Sequence, residues 1–276
     1  QRQMCIRDRI YSALIFVPLF YLLTQHLPPI FFFGLIIVVT CLAMWEFYGL
    51  AFFDENPRLP SLVGLTCGII LLFSIQSPDW ISFKTAIVII LFVLTAYQVV
   101  LVPLVLKSLS HLPFIFFGVV YIALTLGHFL LLRKLPDGPL LVFFVLLVSW
   151  GGDAAAYYSG KSFGSRPLAP ILSPQKTIEG LVGGLITAPL IAWGTSLWFL
   201  PLLTPIDCII LGLALTFLGI VGDLSESAFK RQAGAKDSGN LIPGHGGFLD
   251  RIDSLLLTVP TFYYYMLIIK EAVPIS

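Results

Sequence analysis

The chain has 276 residues, of which 58% are hydrophobic and only 11% are charged, and its mean hydropathy is +0.95. A water-soluble domain carries about 25% charged residues, so this chain lacks the charge needed to cover a soluble globule. The composition also excludes intrinsic disorder, which combines low hydrophobicity with high net charge. The 16 basic and 15 acidic residues nearly cancel to a net charge of +1, which argues against a nucleic-acid-binding protein. The composition therefore indicates a multi-pass membrane protein.

Apolar segments follow one another along the whole chain. A membrane-spanning helix needs about 20 mostly apolar residues, and continuous apolar runs favour helices over the alternating strands of a barrel. The first segment is expected to be a span rather than a signal peptide, because no small-residue cleavage site follows it. The sequence predicts an all-α polytopic protein with a single integral-membrane domain, 1–276. Its nine predicted segments are Ile10–Gln25, Ile30–Phe53, Leu59–Ser77, Ile81–Leu106, Leu112–Leu132, Leu140–Tyr157, Leu181–Phe199, Ile206–Gly222 and Ser254–Ile269.

The lysines and arginines indicate the orientation of these segments. If the N-terminus is cytoplasmic and the segments alternate, 12 of these residues lie inside and four lie outside. Basic residues concentrate in the cytoplasmic loops of membrane proteins, so this asymmetry favours a cytoplasmic N-terminus. The two long polar stretches, 150–180 and 223–253, then face the cytoplasm, where nucleotides are available.

The stretch 223–253 holds nine charged residues and His245 in 31 positions. Asp223 closes an apolar run, and a carboxylate so close to the membrane usually needs a partner or a metal. If the helix continues past Asp223, then Glu226, Ser227 and Lys230 share one helix face.

A glycine-rich loop follows this face. It combines the charges of Lys236 and Asp237 with glycines on both sides of His245, among them Gly246 and Gly247. Such glycines allow backbone amides to approach phosphate oxygens closely.

Two carboxylates, Asp250 and Asp253, are expected near the start of the last helix. Magnesium bound with a nucleotide prefers hard oxygen ligands of this kind. Asp223 and Asp250 are the predicted metal ligands, because each stands at a membrane–water boundary.

Simpler interpretations of the same charges stay open. Asp253 is also a candidate cap for the last helix, and Glu226 with Lys230 is also a candidate helix-stabilising pair. Arg251 is a candidate charge partner for Asp250. Lys230 and Arg231 together are a candidate anchor near lipid headgroups.

The earlier polar stretch, 150–180, adds four candidates for substrate contacts. Asp153 stands near the end of an otherwise uncharged segment, where a polar cavity or an interfacial position would both suit it. Lys161 follows, in the run from Gly160 to Gly164. Ser173 before Pro174 is predicted to cap the next helix, which would leave backbone amides and Lys176 free to meet an anion.

Two motifs in these stretches resemble the phosphatidate cytidylyltransferases, also called CDP-diacylglycerol synthases. The segment SAFKRQAGAKDSGNLIPGHGGFLDRID, residues 227–253, fills every fixed position of that family's signature. Upstream, the succession Asp-x-x-Ala-Tyr, Gly-Lys-x-Phe-Gly and Ser-Pro-x-Lys-Thr-x-Glu-Gly is also similar to the family. Ser165 and Ile178 depart from its usual residues, and the resemblance makes neither position catalytic.

The resemblance implies a polytopic nucleotidyltransferase that joins CTP to phosphatidic acid, releases pyrophosphate and requires Mg²⁺, with a second cation plausible. It implies a metal at Asp223 and Asp250, and catalytic positions at Lys230, Lys236, Asp237, His245 and Asp253. It implies substrate contacts at Asp153, Lys161, Ser173, Lys176, Arg231, Gly246, Gly247 and Arg251. A homodimer in a bacterial cytoplasmic (inner) membrane is also implied.

Two other functions are compatible with the sequence. A CTP-dependent kinase acting on a polyprenol or another lipid would use the same nucleotide but release CDP. An ion-coupled transporter would also place Asp153 and Asp223 in the membrane, but it would not explain a glycine–histidine loop flanked by cations.

Overall fold

The architecture is a bundle of apolar helices. The computed structural model describes residues 21–22, 24–26, 28–53, 58–101, 108–239 and 247–272. Within these ranges, seven helical stretches are long and apolar enough to cross a membrane. The elements are α1 (Pro29–Ala51), α2 (Arg58–Gln76), α3 (Phe83–Leu101), α4 (Ser108–Gly118), α5 (Thr125–Arg133), α6 (Gly138–Phe163), β1 (Pro167–Ala169), β2 (Ser173–Thr177), α7 (Ile178–Phe199), α8 (Pro205–Gln232) and α9 (Leu255–Ile268).

A π-helical turn, Val119–Leu124, joins α4 to α5, and the two helices count as one of the seven.

The predicted all-α membrane architecture is confirmed, whereas the predicted count of nine spans is not. The second to eighth predicted segments each correspond to a long helical stretch. The first predicted segment lies mostly outside the described residues. The ninth forms α9, whose 14 residues extend over only about 21 Å, less than the hydrocarbon thickness of about 30 Å.

A small hairpin interrupts the helices between α6 and α7. Strands β1 and β2 pair antiparallel, with Ala169 opposite Ser173. The prediction that Ser173 caps a helix is therefore wrong, because Ser173 is part of a strand. The cap is Thr177, whose hydroxyl accepts a hydrogen bond from the Gly180 amide at 3.1 Å. The residues just before α7 are thus extended, and Lys176 lies directly beside the helix start.

Helices α6, α7 and α8 pack against one another in sequence order, and small residues permit the close approach. Gly212 of α8 lies directly against the backbone of α7, where an added Cβ would be 2.4 Å from the Pro189 nitrogen. This contact fixes α8, whose last turns carry Asp223, Glu226 and Lys230.

The two ends of α8 have different polar environments. At its start, Asp207 accepts hydrogen bonds from the Tyr265 hydroxyl at 2.6 Å and from the Lys270 ammonium at 2.7 Å. Asp223 and Lys230 lie on its last turns, so Lys230 is about 35 Å along the axis from Asp207. The helix continues past Asp223 to Gln232, ten residues beyond the predicted segment, so the condition under which Glu226, Ser227 and Lys230 share one face is met.

We expect Gly212→Ala to destabilise the protein, because its methyl group would overlap the α7 backbone, at a cost of about 1–3 kcal/mol. Thermal unfolding of the detergent-solubilised protein measures the change. Gly194→Ala in α7 is the matched control, since no atom lies within 4 Å of its added Cβ. Equal unfolding midpoints for the two variants would contradict this packing.

Candidate active site

The two polar stretches converge at the end of α8. Lys176, which precedes α7, forms an ion pair with Asp223 of α8. Asp153 of α6 accepts a hydrogen bond from the Ser254 hydroxyl at 3.1 Å. Residues far apart in the sequence therefore build one polar site at one end of the bundle.

Three carboxylates form an acidic cluster at this site: Asp223, Glu226 and Asp253. Each offers an oxygen, and the three oxygens lie within 4.8 Å of one another. Glu226 is completely buried, and its Oε1 atom has no hydrogen-bond partner among the described residues. The spacing of three residues on α8 brings Asp223 and Glu226 together. Asp253 lies beside them, in the turn before α9. The backbone of this turn contacts Gly222 closely, because a Cβ added to Gly222 would be 2.5 Å from the Asp253 carbonyl oxygen.

Lys230 connects this acidic cluster to Asp250. Its ammonium nitrogen lies 2.6 Å from Glu226 Oε2 and 2.5 Å from Asp250 Oδ1. The other oxygen of Asp250 accepts hydrogen bonds from the amides of Ser238 at 3.0 Å and Gly247 at 2.9 Å. Asp250 therefore ties the two ends of the glycine-rich loop to Lys230.

These contacts explain the ionisation of Asp250. Burial acts to raise its pKa, but the interactions with Glu226, Lys230 and the Ser238 amide outweigh burial and lower the pKa to about 2. Asp250 is thus a carboxylate whose charge is already compensated by protein groups.

The pKa of Asp253 is shifted in the opposite direction to that of Asp250. Burial, together with the negative charges of Asp223 and Glu226, raises the pKa of Asp253 well above its usual range. Lys176 and Lys230 contact Asp223 and Glu226, but no salt bridge is found for Asp253 within the described part of the chain. Buried carboxyl oxygens whose negative charge is not balanced by a salt bridge are suitable ligands for a divalent cation.

The structure thus groups Asp223 with Glu226 and Asp253, whereas the sequence paired it with Asp250. The reason is local geometry: residues Leu249–Arg251 form a 3₁₀ turn, and α9 begins only at Leu255 rather than near Asp250. Asp250 thereby meets Lys230, while Asp253 meets Asp223. The role of Asp250 as a metal ligand stays a prediction. The interpretation of Glu226 as a helix-stabilising partner of Lys230 agrees with their contact. The interpretation of Asp253 as the cap of the last helix is wrong: the N-cap residue is Ser254, and among the described residues Asp253 accepts a hydrogen bond only from the adjacent Ser254 amide at 2.7 Å.

Among the remaining predicted residues, Arg231 links two elements near the site. Arg231 donates hydrogen bonds to the carbonyls of Leu172 and Ala235 at 3.3 and 3.2 Å, which ties the hairpin to the end of α8. His245 and Gly246 lie outside the described residues. Five predicted residues are exposed: Lys161, Arg231, Lys236, Asp237 and Arg251.

Two carboxylates hold the loops of the site, and the sequence assigned neither a role. Glu179 accepts hydrogen bonds from the Ser165 amide at 3.0 Å and the Ser165 hydroxyl at 2.6 Å, which fixes the turn before β1. Glu46 of α1 accepts hydrogen bonds from residues on both sides of the glycine-rich loop. One feature of the sequence could have identified Glu46: it is the only charged residue in the predicted segment Ile30–Phe53.

Comparison with known proteins identifies the family of this chain. The family model described as "Cytidylyltransferase family" matches residues 7–269. A phosphatidate cytidylyltransferase of Bacillus subtilis (strain 168) is 35% identical over 267 residues, which cover 93% of this chain and 94% of that protein. One from Pseudomonas aeruginosa is 47% identical over 133 residues, 48% of this chain and 49% of that protein. An uncharacterized protein, YnbB, of Escherichia coli (strain K12) is 45% identical over 160 residues, 55% of this chain and about half of that protein. The match covers nearly all of the chain, which therefore belongs to the cytidylyltransferase family.

Proposed function

We propose that this protein transfers the cytidylyl group of CTP to phosphatidic acid and so forms CDP-diacylglycerol and pyrophosphate. The observation that carries the proposal is the acidic cluster of Asp223, Glu226 and Asp253. Lys176 and Lys230 flank this cluster at the C-terminal end of α8. The names of the relatives support the choice of substrates.

The reaction brings together two anionic substrates, so charge is its main physical difficulty. The phosphate oxygen of phosphatidic acid is already ionised at neutral pH and needs little help from a general base to attack the α-phosphorus of CTP. Catalysis then depends mostly on holding the substrates in line and on compensating their charges. Lys176 and Lys230 lie at the site and can contribute to this compensation.

The acidic cluster would hold the Mg²⁺ that this chemistry uses. Within the described residues, Glu226 Oε1 is buried without a hydrogen-bond partner and Asp253 has no salt bridge, so both fit a hard divalent cation, and Asp223 completes the set. When bound, the cation supplies positive charge that polarises phosphate oxygens. We assign Asp250 a different role, which is to hold Lys230 and the backbone amides of the glycine-rich loop in place.

The location of the site in the cell follows from the distribution of charge. We propose that the end of α8 carrying Lys230 faces the cytoplasm, because the Lys and Arg excess in the sequence lies on that side. The lipid tails would remain in the bilayer while the headgroup enters the site. A bacterial inner membrane and a homodimer stay predictions from the family resemblance.

The identity of the products tests the reaction. We expect purified protein with Mg²⁺, phosphatidic acid and α-³²P-labelled CTP to give labelled CDP-diacylglycerol, with pyrophosphate in equal amount. Formation of free labelled CDP and no labelled lipid would contradict the proposal and favour the lipid-kinase alternative. Lipid or ion flux in proteoliposomes without any CTP turnover would favour a transporter.

Asp250→Asn tests the role assigned to Asp250. Loss of its charge releases Lys230 and weakens the hold on the Ser238 and Gly247 amides, so we expect turnover to fall at least about a hundredfold. Size-exclusion chromatography in detergent should show a folded protein. Normal turnover by this variant would remove Asp250 from the site.

The same variant gives a pH test. With a folded-state pKa of about 2 against an ordinary 3.8, Asp250 stabilises the fold above about pH 4, and this contribution of roughly 2 kcal/mol is lost as the pH falls toward 2. The unfolding midpoints of wild type and Asp250→Asn should therefore differ more at pH 5 than at pH 3. An equal difference at these two pH values would contradict the low pKa.

A further inference from the structure

Tyr121 is a buried residue of the π-helical turn between α4 and α5. Its side chain is only 9% exposed, and its hydroxyl group has no hydrogen-bond partner among the described residues. Burying a hydroxyl without a partner costs stability, so its presence in a folded protein calls for a specific explanation. Within the part of the chain that the structure describes, Tyr121 therefore offers an unused donor in the interior of the bundle.

Aromatic packing places this side chain beside the last turns of α8. The Tyr121 ring contacts the Phe229 ring with centroids 6.0 Å apart, and it stacks on Phe117 with centroids 5.0 Å apart. Phe229 follows Glu226 at a spacing of three residues, so these two side chains are neighbours on the surface of α8. Tyr121 therefore lies next to the part of α8 that carries the acidic cluster.

The carboxylates of the acidic cluster lie within electrostatic reach of this hydroxyl. The charges of Asp253, Glu226 and Asp223 all act on the Tyr121 oxygen, and Asp253 has the largest effect of the three. Glu226 Oε1 is itself a buried acceptor for which the described residues supply no donor. A donor and an acceptor that are both unused thus lie in one buried region, where a hydrogen bond is worth most.

The backbone that carries Tyr121 is held in place within the π-helical turn. The Thr125 hydroxyl donates to the Tyr121 carbonyl at 2.6 Å and to the Ile122 carbonyl at 3.1 Å. A π turn is a rare departure from α-helical geometry that is frequent at functional sites. The position of Tyr121 is thus determined by its own turn as well as by its aromatic contacts.

The burial of the hydroxyl decides between two roles at the site. A group that binds a substrate must be accessible to that substrate, whereas the Tyr121 hydroxyl is enclosed by protein. Carboxylates that ligate a cation are themselves held by hydrogen bonds from neighbouring groups, and these neighbours contribute to the affinity for the cation. The location of the Tyr121 hydroxyl suits this second role.

We propose that Tyr121 is a positioning residue for the cation site: its hydroxyl donates a hydrogen bond to a carboxylate oxygen of the acidic cluster and so orients that carboxylate toward a bound divalent cation. Tyr121 acts through the carboxylate and touches neither the cation nor the substrates. This inference rests on the proposed function, because it takes the acidic cluster to be the cation site.

Tyr121→Phe tests this role, because it removes the hydroxyl and keeps the ring that packs against Phe229. Mn²⁺ titration of the detergent-solubilised protein, followed by electron paramagnetic resonance without nucleotide, should show binding weakened about tenfold. In the absence of divalent cations, the variant should unfold at the same temperature as wild type or at a higher one, because it no longer buries an unpaired hydroxyl. A lower unfolding temperature with unchanged Mn²⁺ binding would show a residue that only packs, which would overturn the proposal.

Tyr48→Phe is the matched control. Tyr48 is also a buried tyrosine of the bundle, but its hydroxyl donates to the Ile115 carbonyl at 2.9 Å. Loss of this hydrogen bond should lower the unfolding temperature by about 2–4 °C. Mn²⁺ binding by this variant should equal that of wild type, so the two substitutions are expected to have opposite patterns of effect.

Asp253→Asn separates the failure of this inference from the failure of the proposed function. If Asp253→Asn weakens Mn²⁺ binding and Tyr121→Phe does not, the cation site stands and the role of Tyr121 is overturned. If neither variant changes Mn²⁺ binding, the acidic cluster is not the cation site, which overturns both. An equal loss of Mn²⁺ binding in Tyr121→Phe and Tyr48→Phe would indicate a general effect of packing in the bundle and would also overturn the role of Tyr121.

Discussion

The mutual repulsion of carboxylates at the C-terminal end of α8 is the constraint on which the site depends. Asp153, Asp223, Glu226, Asp250 and Asp253 all lie there, and Lys176 and Lys230 supply positive charge to three of them. Two like charges about 4 Å apart cost about 4 kcal/mol in a partly buried setting, so such a group is unfavourable unless further positive charge is present. A divalent cation meets this requirement, and it is also what two anionic substrates need in order to approach one another.

The rest of the fold places and holds this group of charges. The close contact of Gly212 with α7 fixes the axis of α8, and the close contact of Gly222 with the turn before α9 brings Asp253 to Asp223. Asp250 and Glu46 accept hydrogen bonds from both sides of the glycine-rich loop. Apolar helices thus serve as a rigid frame for a small polar site at one end.

The sequence predicted the membrane class, the helical segments and the two polar stretches, because composition, apolar run length and charge clustering are local properties. It also predicted the shared face of Asp223, Glu226 and Lys230, since helical spacing alone determines that face. It could not predict that Asp253 rather than Asp250 meets Asp223, because this choice depends on a 3₁₀ turn and on a contact with Gly222. Nor could it predict that Ser173 lies in a strand, or that Glu46 meets Ser238, since both depend on pairing that the local pattern does not encode.

The central claim is that Asp223, Glu226 and Asp253 hold a divalent cation while Asp250 holds a lysine. Mn²⁺ titration of the detergent-solubilised protein, followed by electron paramagnetic resonance without nucleotide, tests this claim most directly. The account predicts that Asp253→Asn weakens Mn²⁺ binding at least about tenfold, whereas Asp250→Asn changes it by less than about threefold. Weak binding in Asp250→Asn together with unchanged binding in Asp253→Asn would contradict the account.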